Sequence, residues 1–353
     1  MPHITIDDKT LTVPQGATIL HAARQAGVDI PALCFAEGLE PRTSCMACVV
    51  KVAGWGRLVP ACAVACEEGM VVASETDEQV RTARREAVEL LLSEHLGDCD
   101  APCQLVPVEF DPSRPDSAGV VHIPRLIRHI AAGEFEAAAA MIGPCARIDA
   151  SRSERACRRA RHDEPVAIEL LLRYAARVAS ERGIERVAGP PPRAFSTHMG
   201  RLRDEELARL VAQVSPAGRV RPGREGAGYT DAEARAEAAR CLHCDCRAAD
   251  DCKLRDWAEA LGARQSHAGE RRELEILADH PRVVYEPGKC ISCGLCVQVT
   301  ANRGEPVGMA FVGRGFDVRV RPALGHTLAE AITASAEECV AVCPTGALAW
   351  RCQ

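Results

Sequence analysis

The chain reads as an α+β protein built from several small modules in succession, on three observations. Short period-two alternations open the sequence, helical periodicities follow them, and 19 cysteines are spread through 353 residues in local groups. A chain of this length supports two to four compact domains. Its apolar fraction of 47% suits a globular protein, but only 3% is aromatic, so its cores must be built from Leu, Val, Ile and Ala. Bound metal would add rigidity that such cores lack.

The net charge of −6 argues against a nucleic-acid binder. No apolar run approaches the roughly 18 residues of a membrane span, and MPHITIDDKTLTV lacks the regions of a signal peptide. A cytoplasmic protein is therefore expected. In a reducing compartment, clustered thiols mean metal rather than disulfides, and an odd count excludes complete pairing. Sixteen cysteines fall into four groups of four, the number of protein ligands for an iron–sulfur cluster or a structural zinc.

The first group is Cys34, Cys45, Cys48 and Cys62. Ile4/Ile6 and Leu11/Val13 alternate with polar residues around Asp7-Asp8-Lys9, which predicts a hairpin. Thr18 to Gly27 predicts a short helix with a Gly stop, and 49–52 and 70–73 predict strands. Hairpin, helix, metal loop and strand is the order of a β-grasp ferredoxin. The spacing C-x10-C-x2-C-x13-C departs from the C-x4-C-x2-C of plant-type ferredoxins. PALCFAEGLEPRTSCMACVVKV and LVPACAVACEEGMVV instead resemble the amino-terminal domain of the large iron–sulfur subunit of respiratory complex I and of related hydrogenase and formate dehydrogenase subunits. That resemblance covers about the first 75 residues and implies a 2Fe–2S cluster. Small residues such as Ser44 and Ala47 would let backbone N–H groups reach the sulfurs and tune a potential that is about −400 mV in the plant-type class. Cys66 reads as a buried thiol.

The second group is Cys99, Cys103, Cys145 and Cys157. A helix is predicted over 77–96 from Val80, Ala83, Ala87, Leu90 and Leu91, with Thr76 as N-cap. His95-x3-Cys99 resembles the start of the His-plus-three-Cys site of complex I. CDAPCQLVP, the helices around Ile127 to Ile142 and ACRRARHDEPVAIELL resemble the helical iron–sulfur domain of the glutamate synthase small subunit and dihydropyrimidine dehydrogenase. That family carries two 4Fe–4S clusters. Here Val106 precedes Pro107 where the family has Cys, so the resemblance implies at most one cluster. Its ligands would be Cys99, Cys103 and Cys157, with Cys145 or His95 as the fourth. A metal-free remnant is the alternative.

Residues 185–230 are rich in Pro, Gly and Arg and read as a linker around a helix at 203–211. In glutamate synthase-like proteins an FAD- and NAD(P)H-binding domain follows the helical domain. Such a domain needs G-x-G-x-x-G, and the sequence has none; Gly313-Arg314-Gly315 lacks the third glycine. No FAD, FMN or NAD site is expected in this chain.

The third group, Cys241, Cys244, Cys246 and Cys252, follows a helix over 231–240 capped by Thr230. Its spacing C-x2-C-x-C-x5-C is dense enough for all four thiolates to meet, and it resembles the EA-x-RCL-x-C segment of glutamate synthase-like proteins. A 4Fe–4S cluster, zinc or empty thiols remain open, and His243 is expected to act from outside the ligand set. In the fourth group, Cys290, Cys293 and Cys296 in KCISCGLCVQVT are joined by Cys343-Pro344. This resembles half of a two-cluster bacterial ferredoxin: Thr300 stands in for a ligand of the lost cluster, Cys339 is its orphan, and one 4Fe–4S cluster survives. Gly294 would permit close approach to it. GMAFVGRGFDVRV, between the motifs, is expected to form strands and a turn.

The expected organisation is thus 1–75 β-grasp, 76–184 helical, 185–230 linker, 231–265 four-cysteine segment and 266–353 ferredoxin-like. The expected role is electron transfer between an NAD(P)H-oxidising flavoprotein and a hydrogenase, a formate dehydrogenase or a quinone-reducing module, without catalysis by this chain alone. A zinc-stapled assembly scaffold is the alternative.

Overall fold

The computed structural model describes residues 1–109, 118–145, 147–187, 201–224, 226, 228–248, 250–266 and 273–352. The Pro-rich run at 188–200 lies outside them. The chain forms two compact units. Unit 1 takes residues 1–96 and 251–349, and unit 2 takes 97–194 and 201–250 together with the last four residues.

In unit 1, β1 (His3–Ile6) and β2 (Lys9–Thr12) form the expected hairpin, pairing Ile4 with Leu11. Helix α1 (Ile19–Gln25) starts at Thr18, whose hydroxyl accepts from the His21 N–H. Strands β3 (Val49–Val52), β4 (Leu58–Pro60) and β5 (Val71–Ala73) complete a mixed sheet in the order β2-β1-β5-β3-β4. Strand β5 runs parallel to β1 and antiparallel to β3. Ile4, Ile6, Val50, Val52 and Val72 point from the sheet onto Ile19, Leu20 and Ala23 of α1, as period-two and period-3.6 patterns require. Helix α2 (Glu78–Ser93) is shorter than expected and is capped by Asp77 rather than Thr76, since Asp77 accepts from the Val80 N–H. Thr76 is drawn off: its hydroxyl donates to Asp7 Oδ1 at 2.7 Å.

Unit 2 opens with a hairpin the sequence patterns do not predict, β6 (Leu105–Glu109) against β7 (Ala118–His122). Helices α3 (Ile123–Ala132) and α4 (Phe135–Ile142) follow, separated by Gly133 in the left-handed conformation. Strand β8 (Arg147–Ile148) adds to β6. Helices α5 (Ser151–Ala156), α6 (Ile168–Arg182), α7 (Asp204–Gln213) and α8 (Asp231–Ala238) complete the unit. Its core is Leu126, Ile127 and Ile130 of α3 with Leu171, Leu172 and Ala175 of α6. The end of the predicted linker is part of this fold. Tyr229 is buried in the core and donates to the Val220 carbonyl at 2.6 Å, and Val220 N–H donates to Glu237 at 2.7 Å.

Back in unit 1, α9 (Lys253–Leu261) begins directly after Cys252 and packs on α2. Strand β9 (Val283–Tyr285), helix α10 (Leu295–Asn302), the antiparallel pair β10 (Met309–Val312) and β11 (Arg319–Pro322), helices α11 (Leu328–Ala331) and α12 (Ala336–Val342) and strand β12 (Leu348–Trp350) follow. The β10–β11 pair is the predicted insert of strands and a turn. Strand β12 pairs with β9. Among the described residues, no helix is long and apolar enough to cross a membrane.

Candidate metal centres

The loop between α1 and β3 and the turn after β4 bring Cys34, Cys45, Cys48 and Cys62 together, each no more than 4% exposed. The Cys48 and Cys62 sulfurs lie 3.4 Å apart, far beyond a disulfide and close enough to share a metal. The hydrogen bond of Cys45 holds the Cys34 thiol below its ordinary value, and that of Cys62 does the same for Cys48. Thr43 and Met46 adopt left-handed conformations, with φ of 52° and 51°. These turns aim backbone N–H groups inward: those of Ser44 and Cys45 onto Cys34, and that of Ala47 onto Cys45. N–H groups aimed at sulfur fit an anionic cluster better than a bare set of thiols. Cys66 is buried apart from the quartet, and burial raises its thiol.

In the carboxy-terminal part of unit 1, Cys290, Cys293, Cys296 and Cys343 line one pocket together with Tyr285, Gly294 and Pro344. The Ser292 N–H lies 3.3 Å from the Cys290 sulfur, and the Leu295 N–H points at Cys293. Four thiols lining one pocket, with N–H donors aimed at two of them, suit the ligand set of an inorganic cluster. Cys339 stands outside it, its sulfur 3.9 Å from the Cys296 carbonyl and its thiol pushed up to about 12 by burial. Gly294 lines the same pocket as the four cysteines. A Cβ there would meet Arg42 Cδ at 2.8 Å and Phe311 Cζ at 2.9 Å, so the glycine makes room for the Arg42 side chain stacked 4.5 Å over the Phe311 ring.

The quartets at the two ends of unit 1 are neighbours: the negative charge of Cys34 is felt at Cys293. Helix α10, which carries Cys296, is clamped to the first metal loop. Glu40 N–H donates to Gln298 Oε1 at 2.9 Å, and Gln298 Nε2 donates to the Glu40 carbonyl at 3.0 Å.

The cysteines of the second and third groups fall in several places. Cys103 lies in the unit 2 core, Cys145, Cys157, Cys241 and Cys244 pack against that core, and the charges of Cys157, Cys241 and Cys244 act on Cys103. Arginines fasten the segments: Arg158 Nη1 donates to the Cys244 carbonyl at 3.3 Å and Arg159 Nη1 to the Arg240 carbonyl at 3.0 Å. The His243 N–H points at the Cys241 sulfur, so His243 acts through its backbone, in a left-handed turn with φ of 46°. Behind this knot Arg128 and Asp245 form a buried two-bond ion pair at 2.8 and 2.9 Å. Cys246 N–H donates to the Cys99 carbonyl at 3.0 Å. The Cys145 sulfur instead lies 3.2 Å from the Arg147 carbonyl. Cys252 belongs to unit 1, with its sulfur 3.9 Å from the Pro344 carbonyl. His95 also belongs to unit 1. It is 5% exposed, its Nδ1 meets no hydrogen-bond partner, and burial pulls the imidazole down to about 3.

A loop of buried thiols served by inward N–H groups on a small mixed sheet defines an iron–sulfur domain. Residues 2–77 match the 2Fe-2S iron-sulfur cluster binding domain family. The chain is similar to the NADP-reducing hydrogenase subunit HndD of Solidesulfovibrio fructosivorans, 46% identical over 101 residues, which is 27% of this chain and 17% of that protein. It is also similar to the mitochondrial NADH-ubiquinone oxidoreductase 78 kDa subunit of Candida albicans, 34% identical over 96 residues, 27% of this chain and 13% of that protein. The chain thus matches less than a fifth of the length of these relatives. Over 99% of its length it shares a fold with a chain, 87% covered, in the crystal structure of an NAD+-reducing [NiFe]-hydrogenase in the H2-reduced state, with a TM-score of 0.51 at 19% identity.

Proposed function

We propose that this chain is an iron–sulfur electron-transfer subunit. It relays single electrons between an NAD(P)H-oxidising flavoprotein and a second redox partner, which is a hydrogenase, a formate dehydrogenase or a quinone-reducing module. The observation that carries this reading is the Gln298–Glu40 clamp, which ties the helix of Cys296 to the loop of the first quartet within one unit. Two metal-binding quartets held side by side suit electron hopping; a zinc staple would need only one quartet per domain. The relatives point the same way, since one is named as an NADP-reducing hydrogenase subunit and the other as part of an NADH-ubiquinone oxidoreductase.

On this reading the 2Fe–2S cluster is held by Cys34, Cys45, Cys48 and Cys62, in a β-grasp module. One 4Fe–4S cluster is held by Cys290, Cys293, Cys296 and Cys343, in a ferredoxin-like module. In the helical module, we assign a further 4Fe–4S cluster to Cys103, Cys157, Cys241 and Cys244, drawing two ligands from each of two sequence groups. When bound, the clusters supply one-electron carriers. The chain itself supplies thiolates, inward N–H groups and a water-poor setting.

Protein purified without oxygen from cells competent in cluster assembly should be brown. It should contain iron and acid-labile sulfide, and dithionite should develop both 2Fe–2S and 4Fe–4S signals in electron paramagnetic resonance. Zinc without sulfide would establish the scaffold reading instead.

A further inference from the structure

Arg84 lies on α2, beyond the residues that match the 2Fe–2S domain, and its side chain is wholly buried. Every nitrogen of its guanidinium has a fixed acceptor. Nε donates to the Val49 carbonyl at 2.9 Å, Nη2 to Ser74 Oγ at 2.7 Å and Nη1 to Glu75 Oε1 at 2.8 Å. Val49 immediately follows Cys48, and the charges of Cys48 and Arg84 act on each other. Two carboxylates, Glu75 and Asp7, offset the Arg84 charge. Glu75 has a side chain 55% exposed. Asp7 is spent on the N–H groups of Ser74 and Glu75, at 2.8 and 3.2 Å, and on the Thr76 hydroxyl.

A buried guanidinium is costly to desolvate, and a neutral side chain of similar volume often serves stability as well. Its charge, however, reaches its neighbours with little screening. Reduction places one more negative charge on a 2Fe–2S cluster, so a fixed positive charge behind Cys48 favours the reduced form. Water screens the exposed Glu75 more than the buried Arg84, and the Arg84 charge acts on Cys48.

We propose that Arg84 is a positioning residue that raises the reduction potential of the 2Fe–2S centre, with Glu75 as its partial counterweight. The proposal rests on the assignment of that cluster to Cys34, Cys45, Cys48 and Cys62. In the step concerned the cluster gains one electron from the titrating reductant, and no bond is made or broken.

The test is a dithionite titration of the full chain, followed by the 2Fe–2S paramagnetic signal, at low ionic strength. Arg84→Gln should lower the reduced-to-oxidised ratio at fixed poise about tenfold, equivalent to a shift of about 59 mV for one electron. Arg84→Lys keeps the charge and should stay near the parent. Glu75→Gln should move the potential the opposite way, by less. An unchanged potential in Arg84→Gln, equal shifts in the Gln and Lys variants, or shifts of the same sign in Arg84→Gln and Glu75→Gln would each overturn the proposal. If Arg84→Gln loses the cluster, the other two variants decide: a parent-like Lys variant with a positive shift in Glu75→Gln supports it, and any other pair of results overturns it. Absence of a 2Fe–2S signal in the parent protein would instead overturn the cluster assignment.

Discussion

Gln298 closes a two-way hydrogen-bonded clamp on the backbone of Glu40, accepting from its N–H and donating to its carbonyl. The clamp ties the helix of one quartet to the loop of another. Gln298→Ala should remove both bonds, at a cost of about 1–3 kcal/mol. It should also weaken the magnetic interaction between the two reduced centres, read as narrower lines and slower spin relaxation than in the parent.

Cys48→Ser should abolish the 2Fe–2S signal. The carboxy-terminal 4Fe–4S signal should persist, because Cys290, Cys293, Cys296 and Cys343 line a cavity of their own. Loss of both signals would mean that the two quartets assemble only together.

Cys157→Ser and Cys241→Ser should each remove the same single 4Fe–4S signal, although the two residues belong to different sequence groups. Cys145→Ser should leave that signal in place, since the Cys145 sulfur is directed to the Arg147 carbonyl. Loss of one 4Fe–4S centre by all three variants would restore the grouping by sequence.

Arg128→Ala leaves Asp245 charged, fully buried and without its partner. Breaking a buried pair on one side costs about 3–5 kcal/mol. Chemical denaturation should show unit 2 destabilised by that amount, with the β-sheet of unit 1 unaffected. Arg128→Met with Asp245→Leu should recover much of the loss.

The Arg159 guanidinium, helped by Arg240, holds the Asp163 carboxyl down to about 2. A depressed carboxyl stabilises the fold fully above its ordinary value near 3.8, and the contribution fades as pH falls through the folded value. The stability difference between the parent and Asp163→Asn should therefore be constant above about pH 5 and shrink between about pH 4 and 2. A difference that grows on acidification would contradict this assignment.

Much of the fold was legible where one local rule acts alone. Alternation placed β1 and β2, and the capping hydroxyls of Thr18 and Thr230 placed the starts of α1 and α8. Thr76 misled because a carboxylate from the first turn, Asp7, competes for its hydroxyl. The gathering of the outer quartets could be read because the four cysteines of each lie within one module. For the middle eight cysteines, spacing gives only distance along the chain, and the regrouping proposed above draws on tertiary neighbours. The elements that join Cys103 to Cys241 are tertiary: α3 packed against α8, and Arg159 reaching the Arg240 carbonyl. The β6–β7 hairpin was missed because Pro107 sits within its first strand. Arg84 was passed over because the apolar stripe around it reads as an ordinary helix face.

Among the described residues, unit 1 breaks off after Leu96 and resumes at Asp251. Helix α2 therefore leaves the ribosome well before α9, its packing partner, has been made. At about 5–20 residues per second, the delay is roughly ten to thirty seconds. During that interval the first thiol quartet is already complete, while the surface that will receive α9 stays bare. Translation thus imposes an order of maturation, in which the amino-terminal quartet is complete before the carboxy-terminal one has been made. The nascent chain must be shielded at α2 in the meantime.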